Sequence, residues 1–328
     1  MTPAFTVVIP TYERPQTLFR VLDALGAQTG APDFEVVVID DGSRDETPRR
    51  LAAYAPPYPF RHRSQKNGGP AAARNHGVRE AAARLVLFLG DDTVPEPGLL
   101  AAHARAHSEH PADAVAVLGY TTWPSERRVS PFLHHINEYG LQFGYGLIED
   151  PERVPFNFFY TSNISLPRAL LLDVGLFDTT FPNAAWEDIE LAYRLTRRGM
   201  RIVYRPEAVA RHHHDISFAS FRRRQESSGE SAAVFFGKHP ELEGFLGVRE
   251  AREAPPRESA TARLLAFWAG LAESWELPGG RRAVDRVLRQ DYLRGLRRGL
   301  RAQGVAPSSA GDELTPAEVS GSRRRLPG

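Results

Sequence analysis

The sequence predicts an α/β protein with a mostly parallel central sheet flanked by helices and a helical extension at its C-terminal end. Three observations carry this. Short apolar runs at residues 7–10, 36–39 and 85–89 alternate with stretches of 3.6-residue apolar periodicity, the pattern of strands connected by covering helices. Each run ends in a polar, mostly acidic cluster: Thr11-Tyr12-Glu13-Arg14, Asp40-Asp41-Gly42-Ser43 and Gly90-Asp91-Asp92. After residue 235 the strands stop and only helical patterns follow.

Residues 5–10 give the first strand, and residues 16–27 a helix with Leu18, Val21, Leu22 and Leu25 on one stripe. A second strand at 34–39 leads into a short helix at 46–54. Beyond Pro56, Pro57 and Pro59 a short strand is expected near 60–63. Alanine-rich residues 71–83 predict a helix, 85–89 a buried strand, 97–110 a helix and 114–118 a strand. Residues 119–160 break the rhythm with aromatics and glycines and read as a loop-rich surface. A strand at 162–166, a short helix at 167–174 and a longer helix at 186–198 follow, the last with Ile189, Leu191, Ala192 and Leu195 toward the core. Short strands at 201–204 and 208–211 precede His212. Helices are expected at 259–276 and 282–301, and residues 302–328 are polar and small enough to fray.

With 328 residues, 42% of them hydrophobic and 25% charged, the chain can bury a substantial core. A net charge of +1 makes no case for nucleic acid as a partner. No cysteine is present, which excludes disulfides, thiolate nucleophiles and zinc–thiolate sites, so a bound metal must use oxygen or imidazole ligands. The first residues lack the pattern of a secretory signal, and no run approaches eighteen apolar residues. A cytoplasmic protein is expected, attached at most to the inner face of the plasma membrane. Residues 281–302 carry eight arginines against two aspartates beside Val284, Leu288, Leu293, Leu296 and Leu300. Such a helix suits either an anionic lipid surface or packing against the main domain.

If the three runs are neighbouring parallel strands, their acidic ends share the crevice where open α/β sheets bind ligands. Turns also favour Asp-Gly and Asp-Asp, but three clusters at the same end of three strands point to a site. Carboxylates held together call for a divalent cation, and a cation calls for a phosphorylated partner. Gly68-Gly69-Pro70 lacks the spacing of a dinucleotide or P-loop motif, yet its backbone N–H groups and Arg74 suit an anion. In Trp186-Glu187-Asp188-Ile189-Glu190, Glu187 and Glu190 share one side and fit a solvated face. Asp188 points elsewhere and suits a general base. In His212-His213-His214 alternate residues project to the same side, so His212 and His214 can both face the crevice, and His214 is the predicted partner of Asp92 on a metal. Arg222-Arg223-Arg224 suits a diphosphate or a solvated helix.

These segments together resemble the family 2 glycosyltransferases, which have the GT-A fold. The resemblance rests on Val8-Ile9-Pro10-Thr11-Tyr12-Glu13-Arg14, Val38-Ile39-Asp40-Asp41-Gly42-Ser43, Asn67-Gly68-Gly69 with Ala73-Arg74-Asn75, Leu87-Phe88-Leu89-Gly90-Asp91-Asp92, and Trp186-Glu187-Asp188 running to the histidine triplet. It covers roughly residues 5–225. It implies that Pro10, Thr11, Glu13 and Asp41 surround the nucleotide, that Asp91 approaches the sugar nucleotide, and that Asp92 and His214 bind Mn²⁺ or Mg²⁺. Asp188 matches the family's general base. Gly90 departs from the pattern, because it stands where the family's DxD motif has its first acid.

The implied reaction is inverting transfer of a sugar from a nucleoside-diphosphate sugar, a UDP-sugar first among the candidates. The acceptor would be a hydroxyl on a carbohydrate, a lipid-linked molecule or another compound. The implied division is a glycosyltransferase domain at 1–235, with a nucleotide-binding half at 1–118 and an acceptor-side half at 119–235, then a helical extension at 236–302 and a flexible tail at 303–328. Aromatics from Trp123 to Tyr160 are candidate stacking surfaces for sugars. A metal-dependent nucleotidyltransferase and a non-catalytic sugar-nucleotide or carbohydrate-binding protein are the alternatives, the latter because of Gly90. Homo-oligomers fit the sequence equally well.

Overall fold

The structure, a computed structural model, describes residues 2–111, 114–253, 260–271 and 279–304. Eight strands form one sheet: β1 (Phe5–Thr11), β2 (Phe34–Asp40), β3 (Phe60–Ser64), β4 (Leu85–Leu89), β5 (Thr93–Pro95), β6 (Val115–Thr122), β7 (Asn163–Pro167) and β8 (Arg201–His212), in the order β3-β2-β1-β4-β7-β6-β8-β5. β1 is parallel to both β2 and β4, β2 to β3, and β6 to β8; β7 and β5 run antiparallel to their neighbours. The expected mostly parallel sheet is therefore present, completed on one side by antiparallel strands.

Alternate side chains of the apolar strands fill two layers, as the period of two requires. Val7, Ile9, Val36, Val38, Leu87 and Leu89 meet Leu18, Val21, Leu22 and Leu25 of α1 (Pro15–Gly26). After α2 (Thr47–Ala53) comes α3 (Gly69–Glu80), whose Val78 joins Val8, Val86 and Phe88 on the opposite face. α4 (Leu99–Glu109), α5 (Pro131–Glu138) and α6 (Arg168–Asp173) follow, and then α7 (Glu187–Thr196), whose Leu191, Ala192 and Leu195 close that second layer as the sequence predicts.

Three departures matter for function. Residues 119–160 contain a helix, α5, capped by Ser130 and buried through Phe132, Leu133 and Ile136. The two short strands expected at 201–204 and 208–211 are one strand, β8, because an irregularity between Gly119 and Tyr120 of β6 absorbs the break around Pro206. The three-residue β5, invisible in the sequence, pairs Thr93 with His212.

α8 (Phe218–Lys238) runs through residue 235, and is followed by α9 (Glu243–Leu246), α10 (Val248–Glu253), α11 (Ala260–Leu271) and α12 (Gly280–Ala302). Residues 259 and 272–276 of the expected helix, and 305–328 of the expected tail, lie outside the described residues. Val284, Leu288, Leu293, Leu296 and Leu300 of α12 are buried inside the protein. Of the two uses the sequence allowed for that apolar face, packing is the one observed. α8 and α12 cross at glycines: a Cβ on Gly229 would lie 2.0 Å from the Tyr292 carbonyl oxygen, and one on Gly295 would lie 1.9 Å from that of Glu226. The two backbones are in direct contact there.

Candidate active site

The chain leaves β1 for β2 on one side and later crosses back to β4 on the other. The carboxyl ends of β1 and β4 thus flank the switch point of the sheet, where a crevice must open. Thr11 ends β1, and its hydroxyl donates to Asp91 Oδ2 at 2.8 Å across that point. The next turn is tight: Glu13 has φ 52 and donates its N–H to Ser43 Oγ at 2.8 Å, tying the loop after β1 to the loop after β2. A non-glycine residue in the left-handed region is strained, and this one aims the following side chain. Arg14 Nη1 reaches back to Asp92 Oδ2 at 2.6 Å and Asp91 Oδ1 at 3.4 Å.

Asp92 is the centre of the cluster. β5 begins with the next residue, and its pairing to β8 brings His212 Nε2 to 3.5 Å from Asp92 Oδ1 and His214 Nδ1 to 3.6 Å from Asp92 Oδ2. Ligand atoms of Asp92, His212 and His214 lie within 4.8 Å of one another. The two rings stack 5.5 Å apart, while the intervening His213 donates its N–H to the Asp92 carbonyl oxygen at 2.7 Å. The alternation read from the sequence is present, but both His212 and His214 face Asp92 rather than His214 alone.

Burial opposes the Asp92 charge, yet His212, Arg14 and His214 outweigh it and hold the carboxyl far below its usual range. Burial and the adjacent Asp92 push Asp91 the other way, above the usual carboxylate range. Burial, then the neighbouring His212, lowers the pKa of His214 and favours the neutral ring that a metal requires. His212 Nδ1 is a buried nitrogen without a partner. One carboxylate and two imidazoles form a donor set that fits a divalent cation.

Gly90 has a packing reason. A Cβ there would lie 2.7 Å from Thr93 Oγ1 and 3.0 Å from Asp92 Oδ1, so the place of the missing acid is filled by the side chains that set Asp92.

On the second side of the crevice Trp186, with φ 74, turns the chain into α7. Glu187 ion-pairs with Arg74 at 3.0 Å, and Asp188 accepts a hydrogen bond from the Ile189 N–H at 2.9 Å. Burial first, then the charge of Glu187, pushes Asp188 up to about 7. The charges of Asp188, Asp92 and Glu187 all act on Arg224, which α8 extends toward them while its guanidinium donates to Gln142 Oε1. Arg224 thus lies within electrostatic reach of both Asp92 and Asp188.

Several expected roles are altered by this geometry. The N–H groups of Gly68 and Gly69 do not await an external anion; they donate to Asp41 at 2.9 and 2.8 Å, and Gln65 adds a third bond. Arg74 is held by Glu187. Glu187 and Glu190 are not a solvated face: both are buried, and Glu190 pairs with Arg194. Trp123, Phe132, Tyr145, Phe158 and Phe159 belong to the core, leaving Tyr139 as the exposed large aromatic of that set. Pro10, Thr11, Glu13 and Asp41 do gather at the ends of β1 and β2. Sequence reasoning assigned no role to Arg14 although it stands in a quoted motif, and did not single out Arg224 from its triplet. Arg222, by contrast, pairs with Asp291 of α12.

The profile described as glycosyl transferase family 2 matches residues 6–165. This segment of the chain belongs to that family. The glycosyltransferase segment contains Arg14, Asp41, Asp91 and Asp92, whereas Asp188, His212 and His214 lie beyond it and rest on geometry. Over 268 residues the chain is 35% identical to the validoxylamine A glucosyltransferase of Streptomyces hygroscopicus subsp. limoneus, covering 73% of this chain and 58% of that protein. It is 28% identical over 242 residues to the pre-mycofactocin glycosyltransferase of Mycobacterium tuberculosis (strain CDC 1551 / Oshkosh), covering 72% of this chain and 48% of that protein. The chain thus spans less than two thirds of these relatives. In fold it is similar to the mannosyltransferase PcManGT from Pyrobaculum calidifontis in complex with GDP-Man and Mn²⁺, at 21% identity and a TM-score of 0.61 over 92% of this chain and 88% of that one.

Proposed function

We propose that this protein is an inverting, metal-dependent glycosyltransferase that moves a sugar from a nucleoside-diphosphate sugar, preferentially a UDP-sugar, to an acceptor hydroxyl. The observation that carries the reading is the Asp92–His212–His214 cluster at the sheet's switch point, together with a carboxyl of raised pKa, Asp188, at the start of α7. Transfer breaks the bond between the anomeric carbon and the diphosphate, so negative charge grows on the leaving group. A divalent ion on Asp92, His212 and His214, when bound, supplies neutralisation of that charge. Arg224 adds a fixed positive charge on the same side. Asp188 accepts the proton of the attacking hydroxyl, and attack from the face opposite the diphosphate inverts the anomeric centre. A cavity of about 310 Å³ lined by residues 67–71, Thr179 and residues 181–184 has Glu187 in its wall.

Incubation with Mn²⁺ and a panel of UDP-, GDP- and dTDP-sugars, with and without mixed hydroxyl acceptors, tests the proposal. Release of a nucleoside diphosphate is expected; release of inorganic diphosphate would assign nucleotidyl transfer instead. The packing role of Gly90 removes the main motive for a non-catalytic reading.

Contact with an anionic lipid surface belongs to the same proposal, at α11 rather than α12. Leu264, Phe267, Trp268 and Leu271 form an exposed stripe along α11, at the i, i+3, i+4, i+7 spacing of one helix face. Exposed Arg223, Arg263, Arg281, Arg282 and Arg286 lie on α8, α11 and α12. A cavity of about 420 Å³ between Phe218, Arg222, Arg223, Arg263 and Phe267 combines the two chemistries. An apolar face with a basic rim complements acyl chains beneath anionic headgroups. No described helix is long and apolar enough to cross a membrane.

A further inference from the structure

Arg14 stands where a cation is needed. Its Nη1 lies 2.6 Å from Asp92 Oδ2, the same oxygen that faces His214 Nδ1 at 3.6 Å. An ion held by His214 and Asp92 Oδ2 would sit beside the guanidinium that already donates to that oxygen. A guanidinium and a dication on that oxygen repel each other, so each weakens the hold of the other. The root of Arg14 is fixed: it caps α1 and follows the strained, Ser43-anchored Glu13. Its tip is not. The side chain is 44% exposed, and it pairs with Asp91 and Asp92. A fixed root with a solvent-reaching tip lets the guanidinium leave the carboxylates without any change in the fold.

We infer that Arg14 is a built-in counter-ion that competes with the divalent cation for Asp92 and, once displaced, turns to the diphosphate of the donor. The second half rests on the glycosyltransferase reading given above; the first half does not. While no metal is present, Arg14 offsets the repulsion between Asp91 and Asp92. When metal and diphosphate arrive together, the arginine exchanges two carboxylate oxygens for phosphate oxygens, to which its forked donors are equally suited. Metal alone must displace Arg14 with no new anion to receive it, so it binds weakly. Metal and nucleotide therefore bind cooperatively, and each raises the affinity for the other by the same factor.

The test is Mn²⁺ binding to the full chain, followed by the electron paramagnetic resonance of free Mn²⁺ with and without UDP. Arg14→Gln is expected to bind Mn²⁺ alone about tenfold more tightly than the parent, the scale of one charge-assisted hydrogen bond in a half-exposed pair. In the same variant the gain in Mn²⁺ affinity on adding UDP should shrink by roughly tenfold. Arg14→Lys keeps the charge and should fall between the two in both measurements. Circular-dichroism melting confirms that each variant is folded. Weaker or unchanged Mn²⁺ binding by folded Arg14→Gln without UDP overturns the competition, since a residue that merely braces the site would lower affinity when removed. Tighter Mn²⁺ binding with undiminished UDP coupling overturns the turn toward diphosphate. If neither protein binds Mn²⁺ even with UDP, the metal-dependent reading fails and the inference fails with it.

Discussion

Asp188→Asn should act in opposite directions on activity and stability, and the structure sets the scale of both. Asp188 is raised from 3.8 to about 7, which is about 3 pH units at 1.36 kcal/mol each, a ceiling of about 4 kcal/mol. The side chain keeps some contact with solvent and interacts strongly with Glu187, so about 1–2 kcal/mol is a realistic gain when the charge is removed. The sign follows from the raised pKa: stability is intact at low pH and is lost as pH rises from about 4 to about 7, where the unfolded carboxyl ionises before the folded one. The variant should therefore melt about 1.5–3 °C above the parent at pH 8, with little difference near pH 4. Turnover should fall by roughly 10²- to 10⁴-fold with donor affinity nearly unchanged, because the base acts only when a hydroxyl must lose its proton. Parental kcat should rise with pH through about 7, and the residual rate of the variant should be flat there. The assays are nucleoside diphosphate release with an active donor–acceptor pair and scanning calorimetry. Near-parental turnover would transfer the role of base to Glu187. A lower melting temperature at pH 8 would refute the electrostatic argument itself.

Asp92→Asn and His214→Ala should each weaken Mn²⁺ binding by about tenfold or more, and His212→Ala should do so too, whereas His213→Ala should not; equal titrations across the triplet would dismiss the cluster. Gly90→Ala should destabilise the chain by about 1–3 kcal/mol and loosen Mn²⁺, because its Cβ meets Thr93 and Asp92. Gly90→Asp should not raise activity, and a more active Gly90→Asp enzyme would remove the packing explanation. Sedimentation with phosphatidylserine-rich vesicles at low salt should capture the protein and release it as salt rises, and Phe267→Glu with Trp268→Glu should prevent capture. Unaltered capture of that double variant would exclude the α11 stripe.

The central sheet was legible because its strands are nearly continuous apolar runs, Leu85–Leu89 being buried at every position. The acidic ends of β1, β2 and β4 followed from parallel pairing alone. What joins Asp92 to the histidines was not legible, since β5 has only three residues and its pairing with β8 is a long-range contact without a local signal. α5 escaped because Phe132, Leu133 and Ile136 sit among histidines and glycines that resemble a loop. The internal engagement of Asp41 with Gly68 and Gly69 escaped for a different reason: a loop that binds an anion looks the same in sequence whether the anion is foreign or its own. Arg14 and Arg224 are single charges among many arginines, and only their aim distinguishes them.

The glycine crossing of α8 and α12 bears on where this polypeptide can be cut. Ser217 caps α8 only three residues after His214, and α8 carries Arg224 to the crevice. Ala232, Ala233 and Phe235 further along α8 pack with Leu293, Leu296 and Leu300. A shortened version ending before residue 280 would strip that apolar seam from the helix that sets the histidine triplet and Arg224. Expression of the family-matched segment by itself would omit Asp188, His212 and His214 as well. Any minimal recombinant form intended to keep the metal cluster must extend through Leu300, and bulky replacements at Gly229 or Gly295 should mimic truncation by prising the two backbones apart.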